Sequence, residues 1–377
     1  MLTEEATIMK LDCSQKELHE AVQLVNVATS GKTATSALFQ TMLIEVQDGK
    51  MRLVGTDSEI WVERIIPVMI TEPGQFAPNA RLLNELISSL PEGDVHFEQI
   101  NRSTLKITQG SGEYKVAGMP PEDFPDLPSI NVVSTIKFPL GEWQEIIKSV
   151  SFATSVENQA RKVLTGVLIH YDGETLKAVA TDTHRLAVRS SHAQGIGDAI
   201  KAIVPARALT AISKLSLPGD SELTITLGDN QLCLVSDGVK IVAQLIQGEF
   251  PPYDRVIPTG YTKKWQVDRE VFSACLKRAG VMAKDPTSRV VMESKGNVVF
   301  LNARSEGYGE AKEEVEIIKE GDDIQLAFNS DYLLDALSPI DTPGVVLEMT
   351  ENDRPVVIKP SESSLDYLCV VMPMAMI

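Results

Sequence analysis

The side chains that could do chemistry in this sequence are few and scattered. None of the histidines has a second His or Cys at the spacing of a metal site; they are His19, His96, His170, His184 and His192. The nearest approach to an acid–base pair is Asp182 with His184. Because these two residues follow an alternating apolar run, a turn with local hydrogen bonds is favoured over a catalytic pair. No GxxxxGK[ST], GxGxxG or GxSxG motif occurs, so neither a phosphate loop nor a hydrolase nucleophile is supported.

Length and composition exclude several classes of protein. The 377 residues are 43% hydrophobic and 23% charged, which is typical of a globular chain of two or three domains rather than a disordered one. The net charge of −17 argues against a protein that coats nucleic acid with its whole surface. An aromatic content of 5% argues against a protein that binds single strands by base stacking.

The expected location is the cytoplasm. The start of the chain lacks a signal peptide pattern, and no apolar run approaches the length of a membrane helix. The four cysteines are scattered without a CxxC pair, which favours reduced and packed thiols. No membrane partner is expected.

The elements that must position any site recur along the chain. Alternating runs around a turn occur at 42–57, 167–182 and 290–304, and a strand followed by a helix occurs at 76–90, 203–215 and 326–340. A helical stretch opens each third, at 14–30, 140–156 and 269–284. The period of about 126 residues is too long for a solenoid and predicts three duplicated domains. Their expected bounds are 1–131, 132–260 and 261–377.

Charge is unevenly placed within the repeats. The segment 201–219 holds three basic residues and no acid, and 271–284 holds Lys277, Arg278 and Lys284 without an acid. In contrast, 310–323 carries seven acids and two lysines. Each basic helix alone could be an ordinary solvated face. Together they favour basic helices that face a polyanion, with acidic strands facing away.

Five segments, in order along all three thirds, carry a resemblance to a known family. They are Asp123-Phe124-Pro125, VATDTHRLAV (179–188), GEFPPYDRVIP (248–258), FNSDYLLDAL (328–337) and VVMPM (370–374). With these segments the sequence resembles the bacterial DNA sliding clamps, the β subunits of DNA polymerase III. The resemblance implies an α+β fold of three tandem clamp-type domains, each with two helices packed on antiparallel sheets. It also implies that two chains join head to tail in a six-domain ring.

The resemblance further implies a non-enzymatic processivity factor without a cofactor, whose ring encircles duplex DNA independently of sequence. The expected partners besides DNA and a second copy are the clamp loader, the replicative polymerase and repair proteins, which bind through short linear peptides. The implied peptide pocket comprises Leu164, Thr181, His184, Arg185, Leu186, Pro251, Arg255, Val256, Pro355, Val370, Met372, Pro373 and Met374. The implied DNA-facing residues are Lys32, Arg81, Asn158, Arg161, Lys162, Arg207, Lys214 and Lys277. The implied dimer seam places Tyr114 and Val116 against Val281 and Met282.

Two departures from the family pattern concern this pocket. Thr183 stands where the family has glycine, so the turn before His184 is not expected to adopt positive φ freely. The chain ends in MPMAMI, which adds apolar residues that could line or occlude the groove. Two other hypotheses stay open at this point: an enzyme that uses Asp182 and His184, and a peptide-binding hub that forms no ring.

Overall fold

The computed structural model describes residues 9–29, 37–156, 159–192, 194–215, 218–283, 287–305, 307–362 and 366–376, with backbone alone for 159–160 and 194–197. Two of the expected DNA-facing residues, Lys32 and Asn158, lie outside the described residues.

The described residues contain six α-helices, two in each third of the chain. They are α1 (Gln15–Asn26), α2 (Ala80–Ser89), α3 (Leu140–Ser151), α4 (Ala206–Ser213), α5 (Arg269–Met282) and α6 (Ser330–Leu337). In α1, Leu18, Val22 and Val25 lie on one face and are fully buried, as their helical spacing predicts. The helices α1 and α3 end earlier than the sequence pattern predicted, at Asn26 and Ser151.

The strands are numbered in chain order. The first thirteen are β1 (Lys10–Ser14), β2 (Met42–Gln47), β3 (Lys50–Thr56), β4 (Ile60–Pro67), β5 (Met69–Glu72), β6 (Gly74–Pro78), β7 (Asp94–Asn101), β8 (Thr104–Gln109), β9 (Gly112–Met119), β10 (Val132–Pro139), β11 (Gly166–Tyr171), β12 (Thr175–Thr181) and β13 (Arg185–His192). The others are β14 (Gln194–Gly197), β15 (Ile200–Pro205), β16 (Glu222–Gly228), β17 (Gln231–Ser236), β18 (Val239–Gln244), β19 (Lys263–Asp268), β20 (Arg289–Lys295), β21 (Val298–Ser305), β22 (Gly309–Glu320), β23 (Gln325–Asn329), β24 (Gly344–Met349), β25 (Val356–Pro360) and β26 (Tyr367–Val371). Short 3-10 helices span Ala37–Gln40, Pro121–Asp123, Gln159–Thr165 and Tyr253–Arg255.

The predicted repeat is visible in the order of these elements. Each third opens with a strand and a helix and continues with a hairpin, which is β2–β3, β11–β12 or β20–β21. A second strand–helix unit and three antiparallel strands then complete the third. The hairpin turns fall at the predicted dipeptides: Asp48 and Gly49 have φ of 54° and 74°, and Gly173 and Gly296 also have positive φ. The α+β class with three similar copies is therefore confirmed.

The first of two compact units contains the described residues up to Trp143, with Gln194–Asp198 and Arg207–Leu245. Its sheet has fourteen strands in the order β14-β10-β16-β17-β18-β4-β3-β2-β6-β9-β8-β7-β1-β5. The sheet crosses from the central to the first third where β18 pairs antiparallel with β4. Helix α1 packs on β3, and a Cβ added to Gly55 would lie 2.7 Å from the carbonyl oxygen of Val25, so only glycine fits there.

The second unit contains the described residues of Gln144–Ala193, Ala199–Ala206 and Ile246–Ile377. Its sheet has twelve strands in the order β15-β11-β12-β13-β26-β25-β24-β19-β22-β21-β20-β23. Here the sheet crosses from the central to the last third where β13 pairs with β26, with Leu186 opposite Val370. The central third therefore contributes strands to both sheets, and each junction between neighbouring thirds is a continuous antiparallel sheet.

Candidate functional site

The turn between β12 and β13 is built by side chains that bond to its backbone. The Asp182 Oδ1 accepts the N–H groups of His184 and Arg185, each at 2.9 Å. The Thr181 hydroxyl accepts the N–H of Thr183 and donates to the carbonyl of Arg185 at 2.8 Å. Asp182 thus accepts the backbone N–H of His184, which confirms the prediction of a locally bonded turn.

Thr183 is the conformational exception in this turn. Its φ is +80°, in the left-handed region that residues with a Cβ, above all β-branched ones, rarely adopt. The turn therefore has positive φ although a threonine stands where the family has glycine. The hydrogen bonds of Thr181 and Asp182 fix the turn strongly enough to impose the conformation, at a cost in local strain.

Arg185 joins the turn to helix α6. Its side chain is 10% exposed and donates three hydrogen bonds. The Nε donates to the Asp182 carboxylate at 3.0 Å, and the two terminal nitrogens donate to the Asp335 carboxylate and to the backbone carbonyl of Phe152, each at 2.6 Å. The guanidinium carbon lies 4.4 Å from the centroid of the Tyr332 ring. Burial lowers the pKa of Arg185, but the hydrogen bonds and charges of Asp335 and Asp182 outweigh it, so the pKa is raised and the charge is fixed. Arg185 therefore positions the site.

An apolar cluster lies beside this turn, where β13 meets β26. Leu186 and Val370, both expected pocket residues, are neighbours across the two strands and are 2% and 1% exposed. The buried members of the cluster are Leu168, Val179, Leu186, Val188, Ile203, Ile246, Phe250, Val357 and Val370, and Val163, Tyr253, Ile257 and Leu368 pack at its margin. Leu164, also an expected pocket residue, is fully buried but lies outside this cluster.

The margin of the cluster is more exposed. Pro251, Pro355, Met372, Pro373 and Met374 are partly exposed, whereas His184, Arg255 and Val256 are exposed. The C-terminal segment is held in place by two backbone bonds: the N–H of Met372 donates to the carbonyl of His184 at 2.9 Å, and that of Met374 donates to the carbonyl of Ala327 at 2.7 Å. An apolar floor with partly exposed methionine and proline at its edge suits short peptides with hydrophobic side chains. We refer to this cluster and its margin as the second-junction groove.

One residue that sequence reasoning did not single out belongs beside this groove. The Tyr332 ring stacks on His184 with centroids 6.2 Å apart, in addition to covering Arg185. Tyr332 lies in the segment FNSDYLLDAL, which carried the resemblance, and its aromatic character at the start of a helix was the available signal. Asn329 caps the same helix by accepting the N–H of Asp331 at 2.8 Å.

The expected DNA-facing residues that the structure describes lie at exposed positions on or next to helices. Arg81 on α2 pairs with Glu85 at 2.8 Å, and Lys277 is exposed on α5. Arg161 and Lys162 are exposed in the 3-10 helix Gln159–Thr165.

Arg207 and Lys214 are placed differently from the sequence-based expectation. Helix α4 ends at Ser213, so Lys214 follows the helix rather than sharing one of its faces with Arg207. Arg207 forms ion pairs with Asp57 and, at 3.4 Å, with Glu59, so its charge is already partly neutralised within the first unit. Lys214 lines a cavity of about 520 Å³ with residues of α1 and α2 and with Arg64 of β4.

Three protein-family models match consecutive parts of this chain. Models of the DNA polymerase III beta subunit match it as the N-terminal domain at 9–128, the central domain at 138–252 and the C-terminal domain at 254–375. The chain belongs to the DNA polymerase III beta subunit family. Curated relatives include the beta sliding clamp of Synechocystis, 29% identical over 98% of this chain and 100% of that protein. The beta sliding clamp of Staphylococcus aureus is 29% identical over 93% of this chain and 94% of its own length.

Solved structures of the beta subunit family share the fold of this clamp. The Thermotoga maritima beta subunit superposes with a TM-score of 0.86 at 26% identity, over 98% of this chain and 100% of that one. A Pseudomonas aeruginosa sliding clamp bound to griselimycin superposes with a TM-score of 0.85 at 26% identity, with the same coverage. The sequence resemblance and the clamp assignment are therefore confirmed.

Besides the terminal strands of the two sheets, β9 and β22 have partly open edges in the described residues. Strand β9 pairs with β8 along 112–117, and β6 reaches it only at Gly118 and Met119. Residues 309–316 of β22 pair with β21 on one side, and β19 joins the other side only from Ile317 onward. Such edges are templates for pairing with another chain.

The expected seam residues lie at or near these edges. Tyr114 on β9 is 37% exposed and Val281 on α5 is 59% exposed, while Met282 is partly exposed. Val116, in contrast, is 2% exposed because it packs into the core of its own sheet, so it has almost no surface left for a partner.

The described residues contain neither a membrane-spanning helix nor a metal-ligand cluster. No helix among them is long and apolar enough to cross a membrane. No group of three or more His, Cys, Asp or Glu side chains in the same residues is arranged to hold a metal ion.

Proposed function

We propose that this chain is a non-enzymatic DNA polymerase processivity factor that acts in the cytoplasm and uses no cofactor. Two copies join as a ring around duplex DNA and tether the replicative polymerase, the clamp loader and repair proteins. The observation that carries the proposal is the run of three beta subunit domains, N-terminal, central and C-terminal, along one chain. We propose the domain bounds 1–131, 132–260 and 261–377, each enclosing one strand–helix–hairpin–strand–helix copy.

The proposed peptide site is the second-junction groove. The support is an apolar floor around Leu186 and Val370, an exposed Val256 at its edge, and a C-terminal segment bonded to the His184 carbonyl. The complex of the related Pseudomonas aeruginosa clamp with griselimycin shows that a family member holds a ligand. In this proposal Val256 and Met372 at the edge contact the ligand, Leu186 lies beneath it in the buried floor, and Arg185 and Thr181 shape the turn without contacting it.

Peptide titration tests this groove. A peptide taken from the replicative polymerase should bind the variant Leu186→Ala/Met372→Ala at least tenfold more weakly, because two apolar anchors lose their partners, equivalent to about 1.4 kcal/mol. Val256→Ala, which is exposed and cannot disturb the core, should weaken binding in the same direction. Met69→Ala, at a 68% exposed position on β5, is the matched control and should leave affinity unchanged. Unchanged affinity in the first two variants would refute the site.

The proposed seam joins the open edge of β9 in one chain to the open edge of β22 in the other. Tyr114, Val281 and Met282 lie near these edges and supply the apolar contacts. Head-to-tail joining of two chains uses two such seams, and together they close a ring of six domains. The proposed pore residues are the DNA-facing residues that the resemblance implies. Their contacts go to phosphates, which carry no sequence information. The described ones are exposed, and they are Arg81, Arg161, Lys162, Arg207, Lys214 and Lys277.

Light scattering and retention on DNA test the ring together. The chain should be a dimer at micromolar concentration and should remain on nicked circular DNA when loaded, but leave it after linearisation. Val281→Asp should give monomers and abolish retention, because a charge enters an apolar seam. Val271→Asp, on the same helix and 49% exposed, is the control that should stay dimeric. A monomeric wild-type chain that still binds the peptide would instead support a peptide-binding hub without a ring.

A further inference from the structure

A cavity of about 520 Å³ lies in the first unit, between α1, α2, β4 and the end of α4. Its volume falls within the range of about 300–1,000 Å³ that is typical of sites for small molecules. The residues that line it all belong to the first unit, whereas those of the second-junction groove belong to the second. The cavity is therefore separate from the proposed peptide site.

Two basic side chains converge on this cavity from different thirds of the chain. Arg64 comes from β4, and Lys214 directly follows α4. The Nη1 of Arg64 donates to the backbone carbonyl of Asp237 at 2.6 Å, which holds the guanidinium in place. Among the described residues, neither cation forms an ion pair with a carboxylate. Glu20 is the one acid among the described lining residues, so the lining carries a net positive charge in a protein whose net charge is −17.

The rest of the wall is partly aliphatic and partly amide. Leu24 and Ala211 are 8% and 2% exposed, and Val27 at the edge is 36% exposed. Asn84 also lines the cavity, and its Oδ1 is enclosed without a hydrogen-bond partner in the part of the chain that the structure describes. A buried acceptor without a partner is unfavourable, and rotation about χ2 of Asn84 would bring it to a donor in the cavity. The cavity thus offers cations for an anion, an aliphatic wall for a flat ring and an amide for an N–H group.

We propose that this cavity binds a nucleoside monophosphate. The phosphate accepts charge-assisted hydrogen bonds from Arg64 and Lys214. The base packs on Leu24 and Ala211, and its amino group donates to Asn84. Inorganic phosphate alone would leave the aliphatic wall uncovered, and an apolar molecule would leave both cations without a partner.

The proposed site goes beyond the clamp function, because it adds a small-molecule site that does not depend on the peptide groove. Lys214 is also a proposed pore residue. A phosphate of the encircled duplex is therefore the competing occupant of the two cations, and the test distinguishes it from a free nucleotide.

Calorimetric titration of the full chain without DNA tests the site, with adenosine monophosphate as the probe. The wild type should bind one adenosine monophosphate per chain. Adenosine and inorganic phosphate should each bind roughly tenfold more weakly, because the first lacks the charge-assisted bonds and the second lacks the apolar contacts.

Substitutions at the wall separate charge from shape. Lys214→Gln should weaken binding of adenosine monophosphate by roughly tenfold, because one charge-assisted hydrogen bond is lost, whereas Lys214→Arg should bind like the wild type. Val27→Phe changes no charge but enlarges a side chain at the edge of the cavity, so it should weaken binding as well. Lys50→Gln, at an exposed position on β3 outside the cavity, is the matched control and should leave affinity unchanged. Neither lysine side chain has a hydrogen bond or ion pair among the described residues, so these variants should keep a cooperative thermal transition.

Three results would overturn the proposal: no binding of adenosine monophosphate to the wild type, equal affinities for adenosine monophosphate and inorganic phosphate, or unchanged affinity in both Lys214→Gln and Val27→Phe. If Lys214→Gln reduced retention on DNA while the wild type bound no adenosine monophosphate, the cations would serve the duplex and the proposal would equally fail. Leu186→Ala/Met372→Ala should bind adenosine monophosphate like the wild type, so failure of this site and failure of the peptide site are distinguishable.

Discussion

Replacing Thr183 by glycine should stabilise this clamp. Thr183 has a φ of +80°, and its side chain is exposed. The one hydrogen bond described for this residue is donated by its backbone N–H to the Thr181 hydroxyl, which glycine would keep. The substitution therefore removes strain and takes away no described contact.

The size of the effect follows from two opposing contributions. A residue with a Cβ pays about 1–2 kcal/mol in the left-handed region. Glycine loses more conformational freedom on folding, which costs roughly 0.5–1 kcal/mol. The net gain is about 0.5–1 kcal/mol, and with an unfolding entropy of about 2.1 cal/mol/K per residue over 377 residues the Tm rises by about 1 °C.

Differential scanning calorimetry on matched variants resolves such a shift. Ser58→Gly is the internal control, because Ser58 has a φ of +75° but is not β-branched, so its gain should be smaller. Thr183→Ala keeps a Cβ at positive φ and should gain less than Thr183→Gly. A Tm of Thr183→Gly below that of the wild type, or no higher than that of Thr183→Ala, would refute the strain argument.

Two further predictions concern the interior of the second unit and the thiols. Arg185→Met should lower the free energy of unfolding in urea by about 2–3 kcal/mol, because Asp182, whose side chain is only 13% exposed, loses its charged donor. Asp335→Asn should cost less, since that carboxylate is 44% exposed, and equal losses in the two variants would contradict this. Burial raises the pKa of Cys13 and Cys369 to about 12 from the ordinary value of 9.0, so both thiols should resist alkylation at pH 8 until urea unfolds the chain. Because the unfolded thiols ionise first, stability present below pH 9 should be lost as the pH rises toward 12, which urea midpoints across that range would show.

The sequence by itself determined the repeat, the hairpins and the family. The period of about 126 residues, the Asp-Gly turns and the helical spacing of Leu18, Val22 and Val25 depend on local rules, since turn dipeptides and apolar periodicity act over a few residues. Three of the five segments of the resemblance contain all the candidate groove residues except Leu164 and Pro355. Sequence also showed that Asp182 and His184 more plausibly form a turn than a catalytic pair, and the hydrogen bonds of Asp182 agree.

Only the tertiary structure determined which residues far apart in the chain form ion pairs and which pack against each other. Arg185 pairs with Asp335 and Arg207 with Asp57, across about 150 residues in each case, and no local pattern encodes such partners. Strand register places Trp61 opposite Val242 at the first junction and Leu186 opposite Val370 at the second, so strands of different thirds are joined in one sheet. The physical reason is that register and burial depend on the packing of the whole sheet, whereas turns and helices are specified by their own residues.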